Sequence, residues 1–335
     1  MNPWAEPPER CLLPLSPPRR ALSLLAALLI VSALAWMPGC GSSTHRPVRA
    51  GVVFGRAIEV GDSPDGMTFG AGKLWVGLLG NNTVVEIDPH AGRVVGRPIK
   101  VGGYPRWLAF GHGYVWVSNY DSGTLSRIDP RTRRVVGRPI PVGRNPCQAV
   151  VIGNTVWVPD YGDHAVVAVD ARSGKRLGRP IRAGRGPCGA AAGAGYLWVS
   201  DVSGGTVLRI DPRTKRAVGA PIPAGRQPFG IAFGAGAVWV CAAAEETVRR
   251  IDPRTARVTQ RWTLGKGPDW LDATPRAVWV PVSGAGRVTR IDPRTNKIVG
   301  RPIRVGGGPD RALEANGIVW VADFHGTTVK RIRPG

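Results

Sequence analysis

The chain is 335 residues long and strongly basic, with 45 Lys and Arg against 23 Asp and Glu and a formal net charge of +22. Such an excess is the electrostatic footprint of a nucleic-acid ligand. Here the basic residues are spread through a regular repeat, no base-stacking motif accompanies them and the leader is of an export type, so nucleic acid is set aside.

The first 40 residues differ from the rest. Arg19 and Arg20 precede an apolar run over 21–36, followed by Met37-Pro38-Gly39-Cys40-Gly41-Ser42-Ser43. The run is shorter than the roughly 20 residues of a spanning helix. A charged region, an apolar core and a small residue before cysteine predict a lipoprotein-type signal over 1–40, cleaved before Cys40, which then carries the lipid. A plain cleaved peptide and a short anchor are the alternatives, and the paired arginines also allow a twin-arginine route. Residues 41–51 are then a tether. The expected location is the bacterial cell envelope, exported and held to the membrane by the lipid.

From residue 52 a repeat takes over. Trp75, Trp116, Trp157, Trp198, Trp239, Trp279 and Trp320 follow one another at steps of 41 residues, except for one step of 40 between Trp239 and Trp279. Pro64, Pro105, Pro146, Pro187, Pro228, Pro268 and Pro309 keep the same step. The second unit divides into short strands over 107–110, 114–118, 124–128 and 134–140, here lettered A to D. Gly111-His112-Gly113 and Asp129-Pro130-Arg131-Thr132 supply the A–B and C–D turns, the latter expected as type I. Four strands in about 40 residues define a propeller blade. The predicted fold is all-β, a seven-bladed β-propeller over 52–335. The last unit stops after strand C, and Gly55-Arg56-Ala57-Ile58 matches the strand D sequence Gly96-Arg97-Pro98-Ile99. The N-terminal segment 52–58 is therefore expected to complete the last blade, leaving no open seam.

The Val115-Trp116-Val117-Ser118-Asn119 segment, with Ile128-Asp129-Pro130 and Ile140-Pro141-Val142-Gly143, resembles YVTN-type propeller repeats of extracytoplasmic and surface-layer proteins. The repeat proline and the Leu74-Trp75-Val76 type of strand also resemble streptogramin (virginiamycin) B lyase propellers. The second resemblance implies lyase chemistry from histidines and glutamates around the channel with magnesium. In this chain the residues after the repeat prolines are Asp65, Arg106, Cys147, Cys188, Phe229, Asp269 and Asp310, so no His/Glu set can be carried over.

These same positions are the candidate sites. Asp65, Asp269 and Asp310 fall in consecutive blades of a closed ring, and three oxygen donors suit Ca²⁺ or Mg²⁺. Arg311 could instead pair with them. Trp107, Tyr120, Tyr161, Phe229, Trp270 and Arg311 are candidates for a ligand rim, suited to a small molecule, a glycan or a protein. Cys147 and Cys188 share one position in neighbouring blades, and an exported protein favours their oxidation. Basic residues concentrate on the face of the A–B and C–D turns, whereas Asp62, Asp121, Asp160, Asp163, Asp201, Glu245, Glu246 and Asp323 join the three aspartates on the other. This predicts a polarised disc with a basic side suited to anionic headgroups or wall polymers. The functional expectation is a monomeric binding propeller using its acidic, loop-rich face. A metal-dependent lyase or lactonase is the alternative, and an envelope scaffold the third reading.

Overall fold

A computed structural model describes residues 49–335, which belong to one compact unit. The leader, Cys40 and most of the tether lie outside the described residues. Seven antiparallel sheets follow one another along the chain. In the second blade the strands are A Pro105–Gly111, B Tyr114–Asn119, C Thr124–Asp129, and D in two pieces, Arg134–Val135 and Ile140–Pro141. In the last blade, strand C is Thr328–Pro334, and it pairs with Gly51–Val53 and Ile58–Glu59. The outer strand of that blade thus comes from the N-terminal side of the propeller. Among the described residues no helix is long and apolar enough to cross a membrane.

The strand B tryptophans are all buried, and each packs forward onto the next blade. Trp75 sits with Leu108, Val115 and Val117 of blade 2, and Trp320 of blade 7 sits with Met67, Leu74 and Val76 of blade 1. Burying one such ring is worth about 5 kcal/mol gross, an upper bound before ordering entropy. Four of the indole N–H groups donate to a glycine carbonyl of their own A–B hairpin, as Trp75 does to Gly70 at 3.1 Å. Trp279 cannot, because Thr274-Pro275-Arg276 replaces the glycine hairpin. Its Nε1 donates instead to the Glu314 carboxylate at 2.7 Å.

The 40-residue step has a local cause. Most strand D segments contain a Gly-x-Pro interruption, with Gly96, Gly137 and Gly300 at positive φ, and the strand is bulged or split there. In blade 5 the corresponding sequence is Val258-Thr259-Gln260-Arg261-Trp262, one residue shorter, and strand D runs over Arg257–Thr263 with a register shift between Gln260 and Val258.

The C–D turns are one residue wider than the four-residue type I expectation. In each of blades 1 to 6 the aspartate carbonyl accepts the N–H four residues on, as from Arg133 to Asp129 at 2.8 Å. That fifth residue has positive φ whether it is Gly92, Gly174, Arg133, Lys215, Ala256 or Asn296. An L-residue there costs about 1–2 kcal/mol. Ala256→Gly should therefore stabilise the fold by about 0.5–1 kcal/mol, seen as a higher urea midpoint at unchanged slope. A lower midpoint would mean that the lost methyl packing outweighs the relief.

Candidate functional site

In blades 1, 2, 4, 5 and 7 the register of strand A against strand B shifts just after the repeat proline. A bulge at this point bends the strand and re-aims one residue. Backbone groups then link the blades around the inner ring. Gln148 N–H donates to Cys188 O at 3.2 Å and Trp270 N–H to Asp310 O at 3.0 Å. Ser200 Oγ donates to Phe229 O at 2.9 Å, and the Cys241 thiol to Asp269 O at 2.8 Å.

The structure brings Asp65, Asp269 and Asp310 together. Asp310 lies between the other two and hydrogen-bonds to both. Arg106 of blade 2 completes the cluster: its Nε donates to Asp65 Oδ2 at 2.8 Å, with both side chains buried. The guanidinium also lies 4.9 Å from the Trp107 ring, 5.8 Å from Phe229 and 5.9 Å from Phe324. Blades 5 and 7 thus meet a side chain from blade 2.

Arg106 and Arg311 together cannot neutralise three buried carboxylates, and the proton affinities show it. Burial, then the charge of Asp310, pushes Asp65 well above the usual carboxylate range, while Arg106 pulls it back. Burial and the neighbouring Asp269 raise Asp310 to about 8. Burial raises Asp269 to about 6, against its hydrogen bond with Asp310 and the Arg106 charge. Burial disfavours the Arg106 cation, but Asp65, Asp310 and Asp269 outweigh it and hold the pKa above its ordinary value. The cluster therefore keeps protons near neutral pH. Arg311 is buried beside it with its charge 5.8 Å from the Trp270 ring. Its surroundings are electrostatic: burial lowers its pKa, opposed by Asp65, Asp272, Asp310 and Asp269. No hydrogen bond reaches its Nε or Nη1.

The residues expected to form an aromatic rim lie deeper than a rim. Trp107 and Trp270 are 0% and 1% exposed, and their rings meet edge-on at 5.5 Å between blades 2 and 6. These blades are not neighbours, so the two rings span the axis and fill the channel. Phe229 packs on Trp270 at 4.8 Å and Tyr120 on Trp107 at 5.9 Å, both buried. Tyr161 is partly exposed, with its hydroxyl 3.3 Å from Ser203 Oγ. Tyr104 and Phe324 are also partly exposed. The sequence did carry a signal for the filled axis. Two residues after the repeat proline, blades 1, 4 and 5 have Gly66, Gly189 and Gly230, where an added Cβ would come within 2.8 Å of the next blade's backbone. Blades 2 and 6 have tryptophan there, outside the regular series.

Cys147 and Cys188 are brought together as a disulfide, with Cα atoms 4.9 Å apart. Among the described residues no group of three His, Cys, Asp or Glu side chains is placed to hold a metal ion. The carboxyls bond to one another and to Arg106, a cation already provided by the chain.

The other acids of this face hold its loops. Asp160, Asp201 and Asp323 accept the N–H groups of Asn145, Arg185 and Gly308. Glu245 takes Arg249 and Arg261, and Asp163 takes Arg144. The opposite face is less purely basic than expected, since the turn aspartates Asp88, Asp129, Asp170, Asp211, Asp252 and Asp292 lie on it. Their Oδ1 atoms accept N–H groups two or three residues on.

Fold and axial cluster together define a seven-bladed β-propeller with a charged, aromatic-lined centre. No family model and no curated protein matches the chain. Solved structures do. A streptogramin B lyase is 17% identical over 84% of this chain and 97% of its own, with a TM-score of 0.73. The selenomethionine-substituted virginiamycin B lyase from Staphylococcus aureus is 18% identical over 83% and 99%, at 0.71. The hydrazine synthase of Kuenenia stuttgartiensis is 16% identical over 89% and 99%, at 0.67. At these identities the likeness is one of fold.

Proposed function

We propose that this protein is an exported, lipid-anchored binding propeller whose ligand sits over the axial cluster on the face of the D–A and B–C loops. One observation carries the reading. Arg311 Nε and Nη1 are buried without hydrogen-bond partners beside the three carboxyls, whose own bonds run among themselves and to Arg106. Unsatisfied buried polar groups are costly, and a scaffold gains nothing from gathering them. A ligand carrying both donors and acceptors, such as a ring compound or a peptide, would satisfy them. Tyr104, Tyr161 and Phe324 provide the partly exposed aromatic surround.

Tryptophan fluorescence is the direct test, since Trp107 and Trp270 lie within the cluster. Quinupristin, the compound named with a catalytically inactive virginiamycin B lyase of the same fold, is a ready probe, alongside short peptides. Saturable quenching is expected from at least one of them, weakened about tenfold by Asp269→Asn, the loss of one charged hydrogen bond. No response from any probe removes the reading.

The runner-up is a metal-dependent lyase. It would require a divalent ion to displace Arg106 from Asp65, and it is supported only by the meeting of the three carboxyls. Adding Ca²⁺ or Mg²⁺ is expected to leave the melting temperature unchanged and quinupristin intact. A metal-dependent rise in melting temperature with consumption of quinupristin would reverse the order of the two readings.

A further inference from the structure

The C–D face has two features that the axial cluster does not use. The first is a circle of guanidinium groups. Arg131, Arg172, Arg213, Arg254 and Arg294 stand at the same position of the C–D turn in blades 2 to 6, and all are exposed. Their backbone N–H groups bond the turn aspartates. Those carboxylates are therefore tied into the turns, and although Arg213 Nε and Arg294 Nε also lie 3.7 and 3.8 Å from Asp211 and Asp292, their side chains stay largely in solvent. Each turn keeps a positive surplus, because a second exposed Arg or Lys accompanies the first: Arg134, Lys175, Arg216, Arg257 and Lys297.

The second feature is where the chain joins the propeller. Gly51 pairs with Pro334, at the C–D end of the last strand C, whereas Glu59 pairs with Thr328 at the opposite end. Ala50 O accepts the Gly335 N–H, and Arg290 Nη1 donates to both Ala50 O and Gly335 O, at 3.2 and 2.8 Å. The polypeptide therefore reaches the ring on the guanidinium face. Cys40 lies about ten residues before this point, a stretch that spans roughly 35 Å at most. Beside it, a cavity of about 450 Å³ is lined by Pro275, Arg276, Arg290, Asp292, Arg294 and Val299. With Arg290 engaged by Ala50 O and Gly335 O and Arg294 near Asp292, the lining still carries three guanidiniums against one carboxylate and so a positive surplus.

From these two features we infer that the C–D face docks flat on an anionic lipid bilayer, with headgroup phosphates meeting the arginine circle and the cavity beside Arg290. The tether and the positive charge then lie on one side, and the D–A and B–C loops above the axial cluster face away from the membrane. The cellular setting rests on the anchored reading above. The docking itself does not, because basic residues near a negatively charged surface each add attraction whether or not a lipid is attached.

The test uses residues 46–335 without the lipid, the compact unit that contains every blade and the strand completing the last. Co-sedimentation is measured with vesicles of phosphatidylcholine alone and with added phosphatidylglycerol, at low and high salt. Binding is expected only to the anionic vesicles and only at low salt. Replacing Arg131, Arg172, Arg213, Arg254 and Arg294 by Gln, one after another, should weaken it by roughly fivefold per residue. Arg185→Gln with Arg226→Gln, on the opposite face, should leave it unchanged. Circular dichroism melts confirm that each variant is folded. Equal binding by the five-arginine variant, a loss caused by the Arg185 and Arg226 pair instead, or no binding to anionic vesicles would each overturn the proposal. Binding to soluble poly(glycerol phosphate) without binding to vesicles would replace the membrane with a wall polymer, and would overturn it equally. None of these outcomes touches the fluorescence test of the axial site.

Discussion

Arg106→Met is expected to destabilise the ring by about 3–5 kcal/mol at neutral pH, the usual result of removing one partner from a buried ion pair. The carboxyls of Asp65, Asp269 and Asp310 would lose the cation that balances them. The loss should depend on pH in a definite direction. Below about pH 4 the three carboxyls are neutral in both the folded and unfolded chains, so the variant should approach the parent. As pH rises the folded variant must either hold its protons or bury bare charge, and the gap should widen. A flat difference across the range, followed by thermal melts, would mean that Arg106 acts through packing alone.

The parent has the same sign built into it. Asp269 and Asp310 are raised to about 6 and about 8. Between the unfolded value near 4 and these values the folded state holds more protons than the unfolded chain, so their contribution to stability is complete below about pH 4 and declines as pH rises through 6 and then 8. Asp310→Asn keeps a neutral group between Asp65 and Asp269 and should remove the upper part of that decline. The turn aspartates work in the opposite sense at the acid end, since backbone N–H groups hold Asp170, Asp211, Asp252 and Asp292 below the usual range. The difference between Asp310→Asn and the parent cancels them and isolates the cluster.

The Cys147–Cys188 pair should supply the second large effect. Cys147→Ser with Cys188→Ser is expected to cost about 4 kcal/mol in the chain-entropy description for a loop of this length, since 41 residues separate the two. Alkylation without reductant should leave both thiols unlabelled, with Cys241 the buried free cysteine among the described residues. Full labelling of both positions, with no change in melting temperature on adding reductant, would show that the ring stands without the bridge.

The ring was legible in the sequence because its causes are local and repeated. A tryptophan in an apolar strand, an Asp-Pro turn and a glycine hairpin recur at one step, and each fixes the backbone over a few residues. Even the short step follows from an absent Gly-x-Pro in blade 5. The meeting of Asp65, Asp269 and Asp310 was also legible, because position in the repeat gives radius and blade number gives angle. The contents of the axis were not. Arg106 reaches Asp65 in one neighbouring blade and the Phe229 ring across the channel, and Trp107 meets Trp270 between blades that share no sheet. Such contacts depend on side-chain length and on the width left when seven sheets close, and neither belongs to any single repeat. For the same reason the repeat could mark which residues follow the repeat prolines, but only the folded ring decided that their centre is filled by aromatic rings and an arginine.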